Sequence, residues 1–333
     1  MIKILLLDNI YNDIIPNWYY NIYEYNVNNY TDYLQYNNEN QTIKLLKFLK
    51  YLIHLQNKYE FIFVSDCGYK RENNIYYHYR YMDGIEFNNK EKLIFDKLKL
   101  KVPLINNNIY FMKEYLKNDY DISLLLTNKN NIKMNIIGPN TYYEFLYNNT
   151  QNNDNVNIDE IITNLKYQIL STVHNGCKII QIDEPYFIYK LFDETNIDYL
   201  EKLVSSLNTE IILGLHKYDE FKLKSILTKE NLIQLLNIKN IKYYSFDYQD
   251  IQKYITILKD YNHKIFIFKL NYRNCIKDYK ILLKKIIDEI GHNNFYVSPS
   301  NYKKTLNELN KIYENIYISV NYLNHSQYIY QIN

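Results

Sequence analysis

The sequence is poor in the residues that GC-rich codons encode. It contains no Ala, three Arg, six Gly and five Pro, whereas Tyr occurs forty times and Asn, Lys and Ile are abundant. This bias indicates drift in an AT-rich genome, so the Asn runs do not predict a prion-like or disordered protein. A Gly or Pro that persists is instead expected where the backbone requires it.

Other absences exclude whole classes of protein. The cysteines Cys67, Cys177 and Cys275 form no CxxC pair, which argues against a disulfide framework and against a cysteine-rich zinc module. No run of about 18 apolar residues exists, and the opening apolar stretch is too short for a signal peptide. With 39 basic and 37 acidic residues the net charge is +2, so neither nucleic acid nor a membrane is an expected partner. We expect a cytoplasmic protein.

Short apolar runs alternate with stretches of helical spacing along the chain. The predicted strands are 2–7, 61–65, 132–137, 178–182, 210–215, 241–246, 264–270 and 294–298. The predicted helices include 41–57, 157–175, 196–208, 249–261, 276–290 and 301–313. Such strands are typical of buried parallel sheets, and eight of them predict an α/β fold of the (β/α)8, or TIM-barrel, type. A doubly wound open sheet is the alternative, although no glycine-rich phosphate loop follows any strand.

We expect residues 1–333 to form a single barrel domain, since no linker rich in Pro, Gly or Ser divides the chain. The segment 72–130 is too long for a plain connection and is predicted to be an inserted excursion. It is expected to hold a short strand pair that includes 83–87 and 101–105, and a helix near 110–118.

Polar residues follow the predicted strands, at the end where a barrel builds its active site. They are Asp8, Asp66, the segment 138–141, Asp183, Glu184, His216, Asp247, Asn271 and the segment 298–301. Each one alone is better explained as a helix cap, but together they predict a polar site. The adjacent carboxylates of Asp183 and Glu184 repel each other, and such a pair can bind an ammonium group or share a proton.

Five segments resemble the C-terminal, zinc-binding domain of cobalamin-independent methionine synthase, and they occur in the order of that family. The specific matches are IQIDEP at 180–185 and GPNTYYEF at 138–145. Weaker matches at 66–87, 215–221 and 295–305 gain weight from their order and spacing. The resemblance implies a barrel of the methionine synthase or uroporphyrinogen decarboxylase-like type, and IQIDEP favours the methionine synthases.

The resemblance also implies how an amino acid is bound. In the family an acid of the DEP segment binds the ammonium group of homocysteine, and this element is present as Asp183 and Glu184. The GPxT region, here with Thr141 and Phe145, is implied to lie near the methyl-donor pocket. His216 and Asp183 are the residues expected to take part in catalysis.

The family's zinc site is only partly matched. Zinc activates the homocysteine thiol there, and His216 and Asp247 fall on two of the four ligand positions. The two cysteine positions fall on Tyr218 and Asn301, and Cys67 is a possible replacement thiolate. The sequence therefore predicts a degenerate zinc site.

Two functions remain open from the sequence. One is a homocysteine S-methyltransferase of methionine biosynthesis, with a folate or a methylcorrinoid, carried by a corrinoid partner protein, as the methyl donor. The alternative is a catalytically inactive family member that binds an amino acid or a partner protein through the barrel mouth.

Overall fold

The structure is a computed structural model that describes residues 3–4, 39–66, 76–86, 91–111, 113–127, 131–148, 157–217, 223–270, 276–291, 295–299 and 306–330. The strands, numbered in chain order, are β1 (Lys3–Ile4), β2 (Met82–Glu86), β3 (Glu91–Ile94), β4 (Leu98–Lys101), β5 (Leu104–Phe111), β6 (Lys133–Ile137), β7 (Tyr147–Asn148), β8 (Ile179–Asp183), β9 (Glu210–Leu215), β10 (Tyr243–Asp247), β11 (Ile265–Leu270) and β12 (Phe295–Pro299).

A parallel sheet forms the centre of the fold. Its strands lie side by side in the order β1, β12, β11, β10, β9, β8 and β6. A parallel bridge from Val64 to Ile132, the residue before β6, places the predicted run 61–65 beside this strand. The described parts of all eight predicted strands therefore lie in the predicted order around one sheet. The fold is an α/β fold of the (β/α)8-barrel type, as expected.

The two faces of the strands bury different sets of side chains, because successive residues point to opposite sides. Inward-facing residues of β8 to β12 form a separate apolar cluster, against which Ile62 and Phe63 pack. Its buried members are Ile179, Ile212, Tyr243, Ile267 and Tyr296. Residues of the 61–65 run thus pack against the same interior cluster to which β8 to β12 contribute, as expected for the filled interior of a barrel.

Helices cover the outside of the sheet and pack on its other face. They are α1 (Glu39–Lys58), α2 (Tyr76–Tyr79), α3 (Tyr115–Leu126), α4 (Pro139–Glu144), α5 (Ile158–His174), α6 (Tyr186–Tyr189), α7 (Glu194–Val204), α8 (Lys229–Leu236), α9 (Tyr248–Ile251), α10 (Ile255–Leu258), α11 (Ile276–Ile290) and α12 (Leu306–Tyr330). Among the described helices, none has the length and apolar character needed to cross a membrane.

The predicted helices lie where the structure has helices, but several of their bounds differ. The predicted helices 157–175 and 276–290 correspond to α5 and α11. The predicted helix 249–261 is instead broken into α9, α10 and two 3-10 turns. The predicted helix 301–313 corresponds to α12, which runs on to Tyr330. The short helices α4 and α6 were not predicted, because a helix of four to six residues shows no apolar period.

The excursion between the second and third barrel strands holds more strand than expected. Strand β2 pairs antiparallel with β5, and β3 pairs antiparallel with β4 to form a hairpin. The helix predicted near 110–118 was placed too early, since pairing of Phe111 with Met82 extends β5 and the helix α3 begins at Tyr115.

The β3–β4 hairpin is fastened to the end of α4. The backbone N–H of Phe95 donates to Glu144 Oε1 at 2.7 Å, and Lys92 Nζ donates to the carbonyl of Glu144 at 2.6 Å. The buried ring of Phe95 lies 5.5 Å from Phe145 and 5.1 Å from Tyr189, measured between centroids. Because α4 and α6 follow the C-terminal ends of β6 and β8, the hairpin is anchored at the site-bearing end of the sheet.

Candidate functional site

A polar layer lies above the apolar cluster inside the barrel, and it leads to Asp183. Lys133 Nζ donates to Gln181 Oε1 at 2.7 Å, and Gln181 Nε2 donates to Asp183 Oδ1 at 2.6 Å. The other carboxylate oxygen of Asp183 accepts a hydrogen bond from Asn135 Nδ2 at 2.8 Å. All four residues are buried and stand at alternate, inward positions of β6 and β8. Two amide donors therefore fix the orientation of the Asp183 carboxylate.

The neighbouring strand β9 leaves room for this carboxylate through a glycine. Asp183 pairs in register with Gly214, and a Cβ atom at that position would overlap Asp183 Oδ1. One of the scarce glycines is therefore explained by close approach of a side chain rather than by a turn.

Glu184 points to the opposite side of β8 and caps helix α4. Its carboxylate accepts hydrogen bonds from the backbone N–H groups of Asn140 and Thr141 at 2.8 and 2.9 Å. The hydroxyl of Thr141 donates to it at 2.5 Å. Gly138 supplies the space, since a Cβ there would overlap the Glu184 side chain. The free N–H groups of a helix N-terminus are satisfied here by a carboxylate from the next strand.

Burial raises the pKa of the Glu184 carboxyl to about 7, and the hydrogen bonds from Thr141 and Asn140 act in the opposite direction. The side chain is fully buried. The two adjacent acids of the DEP segment are thus bound by different partners: Asp183 by the barrel interior, and Glu184 by the turn that follows β6.

Four polar side chains form a row across the C-terminal ends of β9 to β12. Asp247 pairs in register with Lys269, and Lys269 with Ser298. His216 directly follows Leu215, whose partner Phe246 precedes Asp247, so His216 and Asp247 stand next to each other across the strand pair. Lys269 Nζ lies 3.7 Å from Asp247 Oδ1, and the backbone N–H of Lys217 donates to Asp247 Oδ2 at 2.9 Å.

His216 is held neutral within this row. Its side chain is 1% exposed, and within the described stretches neither ring nitrogen has a hydrogen-bond partner. Burial lowers the pKa of His216 to about 3; the Asp247 charge opposes this effect, and the Lys269 and Lys133 charges add to it. A neutral imidazole offers one donor and one acceptor to a bound molecule.

The structure brings together Asp183, His216 and Asp247 at the ends of consecutive strands. Thr141 is occupied by Glu184, and Phe145 is buried in the core. Tyr218, Asn301 and Cys67 lie outside the described residues, as do Asp8 and Asn271.

Within the described stretches, no group of three or more His, Cys, Asp or Glu side chains could hold a metal ion. His216 and Asp247 supply two ligands, whereas zinc sites take at least three from the protein. The ammonium of Lys269 already lies against one of these two ligands. The described residues therefore do not fit a zinc ion.

Sequence reasoning missed the interior polar residues Lys133, Asn135, Gln181 and Lys269. A signal was present, since each is a polar residue at an inward position of an otherwise apolar strand run.

The chain folds as a barrel, and its buried polar side chains lie at the C-terminal ends of the strands, where such barrels build their sites. Comparison with known proteins gives the family. The profile of the family described as "Cobalamin-independent synthase, Catalytic domain" matches residues 24–213, more than half of the chain. The chain belongs to this family.

The individual relatives have low sequence identity to this chain. A methionine synthase from Saccharolobus solfataricus is 22% identical over 155 residues, which are 44% of this chain and 47% of that protein. The chain thus spans about half the length of the curated relative that it matches.

Solved structures agree with the fold. A B12-independent methionine synthase from Shewanella sp. W3-18-1, in complex with selenomethionine, has a TM-score of 0.71 at 17% identity and covers 88% of this chain and 91% of its own. A putative vitamin-B12-independent methionine synthase from Listeria monocytogenes has a TM-score of 0.61 at 14% identity, covering 88% and 90%. A methyltransferase from Methanosarcina mazei has a TM-score of 0.54 at 10% identity, covering 85% and 87%.

Proposed function

We propose that this chain binds a homocysteine- or methionine-type amino acid at its barrel mouth. We further propose that its reaction is methyl transfer to the homocysteine thiol, from a folate or from a methylcorrinoid carried by a partner protein. The observation that carries the proposal is the buried Asp183 carboxylate, which Asn135 and Gln181 orient at the end of β8. Membership of the synthase family and the selenomethionine bound by the Shewanella sp. protein support it.

The chemistry of the mouth suits an α-amino acid. The carboxylate of Asp183, which two amide donors orient at the end of β8, is an acceptor that can bind the ammonium group of an amino acid. His216, on the next strand, offers a donor and an acceptor to a second polar group of the ligand. Lys269 adds a positive charge on the same rim.

In the reaction the S–CH3 bond forms as the N5–CH3 bond of the folate or the Co–CH3 bond of the corrinoid breaks. Tetrahydrofolate or the Co(I) corrinoid leaves, and the thiol proton passes to the folate nitrogen or to the solvent. In the proposal Asp183 positions the amino acid, while Glu184 holds the GPNT turn in place through Asn140 and Thr141. No step is assigned to zinc, because the described residues do not fit one.

Binding is tested by calorimetric titration of the full chain with homocysteine and with methionine. We expect saturable binding of both, and a loss of roughly tenfold or more in the Asp183→Asn variant, because a charged hydrogen bond contributes about 1.5–3 kcal/mol. The matched control is Asp159→Asn, since Asp159 is an exposed acid on α5. Absence of binding by the unmodified chain would refute the proposal.

Catalysis is tested separately by incubating the chain with homocysteine, zinc and either methyltetrahydrofolate or methylcobalamin. Methionine formed in proportion to the protein, as measured by mass spectrometry, would support methyl transfer. Binding without methionine formation would refute the proposed methyl transfer and leave the proposed amino-acid binding standing.

The second candidate is a non-catalytic protein that binds an amino acid or a partner protein through the same mouth. The observation that favours it is the ion pair of Lys269 with Asp247, which neutralises one of the two matched metal-ligand positions. It predicts binding of homocysteine and methionine with no turnover for either methyl donor.

A further inference from the structure

We propose that the ammonium of Lys269 is the resident cation of the barrel mouth, and that it stabilises a bound homocysteine as the thiolate without a metal ion. The inference rests on the proposed function, because it presupposes that homocysteine binds there. It begins from the disagreement between the family's zinc and the described residues of this chain.

The position of Lys269 supports this role. It lies in register with Asp247, one strand further from His216, and its side chain is 3% exposed. Its ammonium is 3.7 Å from Asp247 Oδ1, so the carboxylate that matches a metal ligand faces a positive charge of the protein itself. A lysine is a point charge that needs no coordination geometry.

The field in the mouth is also unfavourable for a divalent cation. Lys269 Nζ lies 3.7 Å from Asp247 Oδ1, and the buried Lys133 binds Gln181, whose amide donates to Asp183. A metal ion held by His216 and Asp247 would be repelled by the Lys269 ammonium group beside it. An anionic sulfur at this place would instead be attracted by both ammonium groups.

The expected effect is a lowered pKa of the bound thiol. A free thiol has a pKa of about 8.5 and is mostly protonated at neutral pH. An opposite charge within about 4–6 Å lowers a pKa by roughly 1–3. Homocysteine should therefore release its thiol proton to the solvent as it binds, whereas methionine, which has no thiol proton, should release none.

The experiment measures proton release on binding, with a chelator present throughout. Homocysteine is titrated into the full chain at pH 7 in two buffers of different ionisation enthalpy, and methionine serves as the ligand control. We expect release of most of one proton with homocysteine. This release should fall by roughly tenfold in Lys269→Met and persist in Lys269→Arg.

Two further variants make the test specific. Lys264→Met is the matched control: Lys264 is a buried lysine at the other end of the same strand, bonded to the carbonyls of Ile238 and Ile241. This variant should release the proton as the unmodified chain does. Asp247→Asn removes a negative charge that lies 3.7 Å from the Lys269 ammonium group, so the thiol pKa should fall further, whereas loss of a metal ligand would raise it.

The outcomes separate the two proposals. No binding of homocysteine by the unmodified chain ends the proposed function and this inference together. The inference is overturned, and the proposed function left standing, if homocysteine binds but releases its proton only in a parallel titration with zinc in place of the chelator. The same holds if the release is unchanged in Lys269→Met. If Lys269→Met does not fold, the opposite signs expected for Asp247→Asn still decide the question.

Discussion

Replacing Glu184 by Gln should remove a pH dependence from the stability of the fold. Burial raises the pKa of Glu184 from its ordinary value of 4.5 to about 7. A carboxyl group whose pKa is higher in the folded chain takes up a proton on folding between these two values. Its contribution to the free energy of unfolding is therefore complete below pH 4.5 and is lost as the pH rises through 7.

The magnitude follows from the two pKa values. The difference between 4.5 and about 7 corresponds to about 3 kcal/mol of unfolding free energy. The Glu184→Gln variant has no such titration. Its amide group places a donor against the N–H of Asn140 or Thr141, which costs about 1–3 kcal/mol at every pH. The test therefore compares how the free energy of unfolding changes with pH in the two proteins, and not its absolute value.

The assay is urea unfolding of both proteins at a series of pH values from 4.5 to 8. The unmodified chain should lose about 3 kcal/mol relative to Glu184→Gln over this range. The titration of His216 has the opposite sign, but it is present in both proteins and cancels in the difference. Glu201→Gln, at an exposed position on α7, is the control. Parallel curves for the unmodified chain and Glu184→Gln would show that the reasoning about Glu184 is wrong.

Three further predictions concern the packing and charge of the mouth. Gly214→Ala should weaken methionine binding and lower stability by about 1–3 kcal/mol, because the added methyl group overlaps Asp183; calorimetry and urea unfolding measure the two effects. Phe95→Ala should lower the free energy of unfolding by about 3–5 kcal/mol and expose the β3–β4 hairpin to proteolysis, whereas Leu93→Ala, at an exposed position of the same hairpin, should do neither. The unmodified chain should gain stability relative to His216→Gln as the pH rises from about 3 to 6.5 in acid unfolding curves, because the pKa of His216 is lowered from 6.5 to about 3.

The barrel could be predicted from the sequence because its strands are short apolar runs separated by amphipathic helices. Helix α11 was predicted with its full extent, since a regular apolar stripe runs its whole length. The strands of the excursion were harder to predict from the sequence. The pairing of β2 with β5 confirms the predicted strand pair of 83–87 and 101–105, but three Asn residues in a row concealed how far β5 (LINNNIYF) extends.

The candidate site could be predicted only in part. Asp183, His216 and Asp247 stand at strand ends, where the barrel rule directs attention. The rule does not say which side of a strand end a residue faces. Asp183 and Glu184 are neighbours in the sequence but have opposite orientations on β8, so the expected interaction between their carboxylates gave way to two separate hydrogen-bond networks.

The two most recognisable motifs of the sequence are those that the fold locks together. The GPNT turn and the DEP segment meet through Glu184, which takes hydrogen bonds from Asn140 and Thr141 and fills the space left by Gly138. Such an interlock preserves the turn whether or not the protein turns over a substrate, because losing one partner leaves buried polar groups unsatisfied. A match to these motifs therefore identifies the family and its fold. In the function proposed for this chain, the chemistry depends on the row from His216 to Lys269, whose charges favour a thiolate over a metal ion.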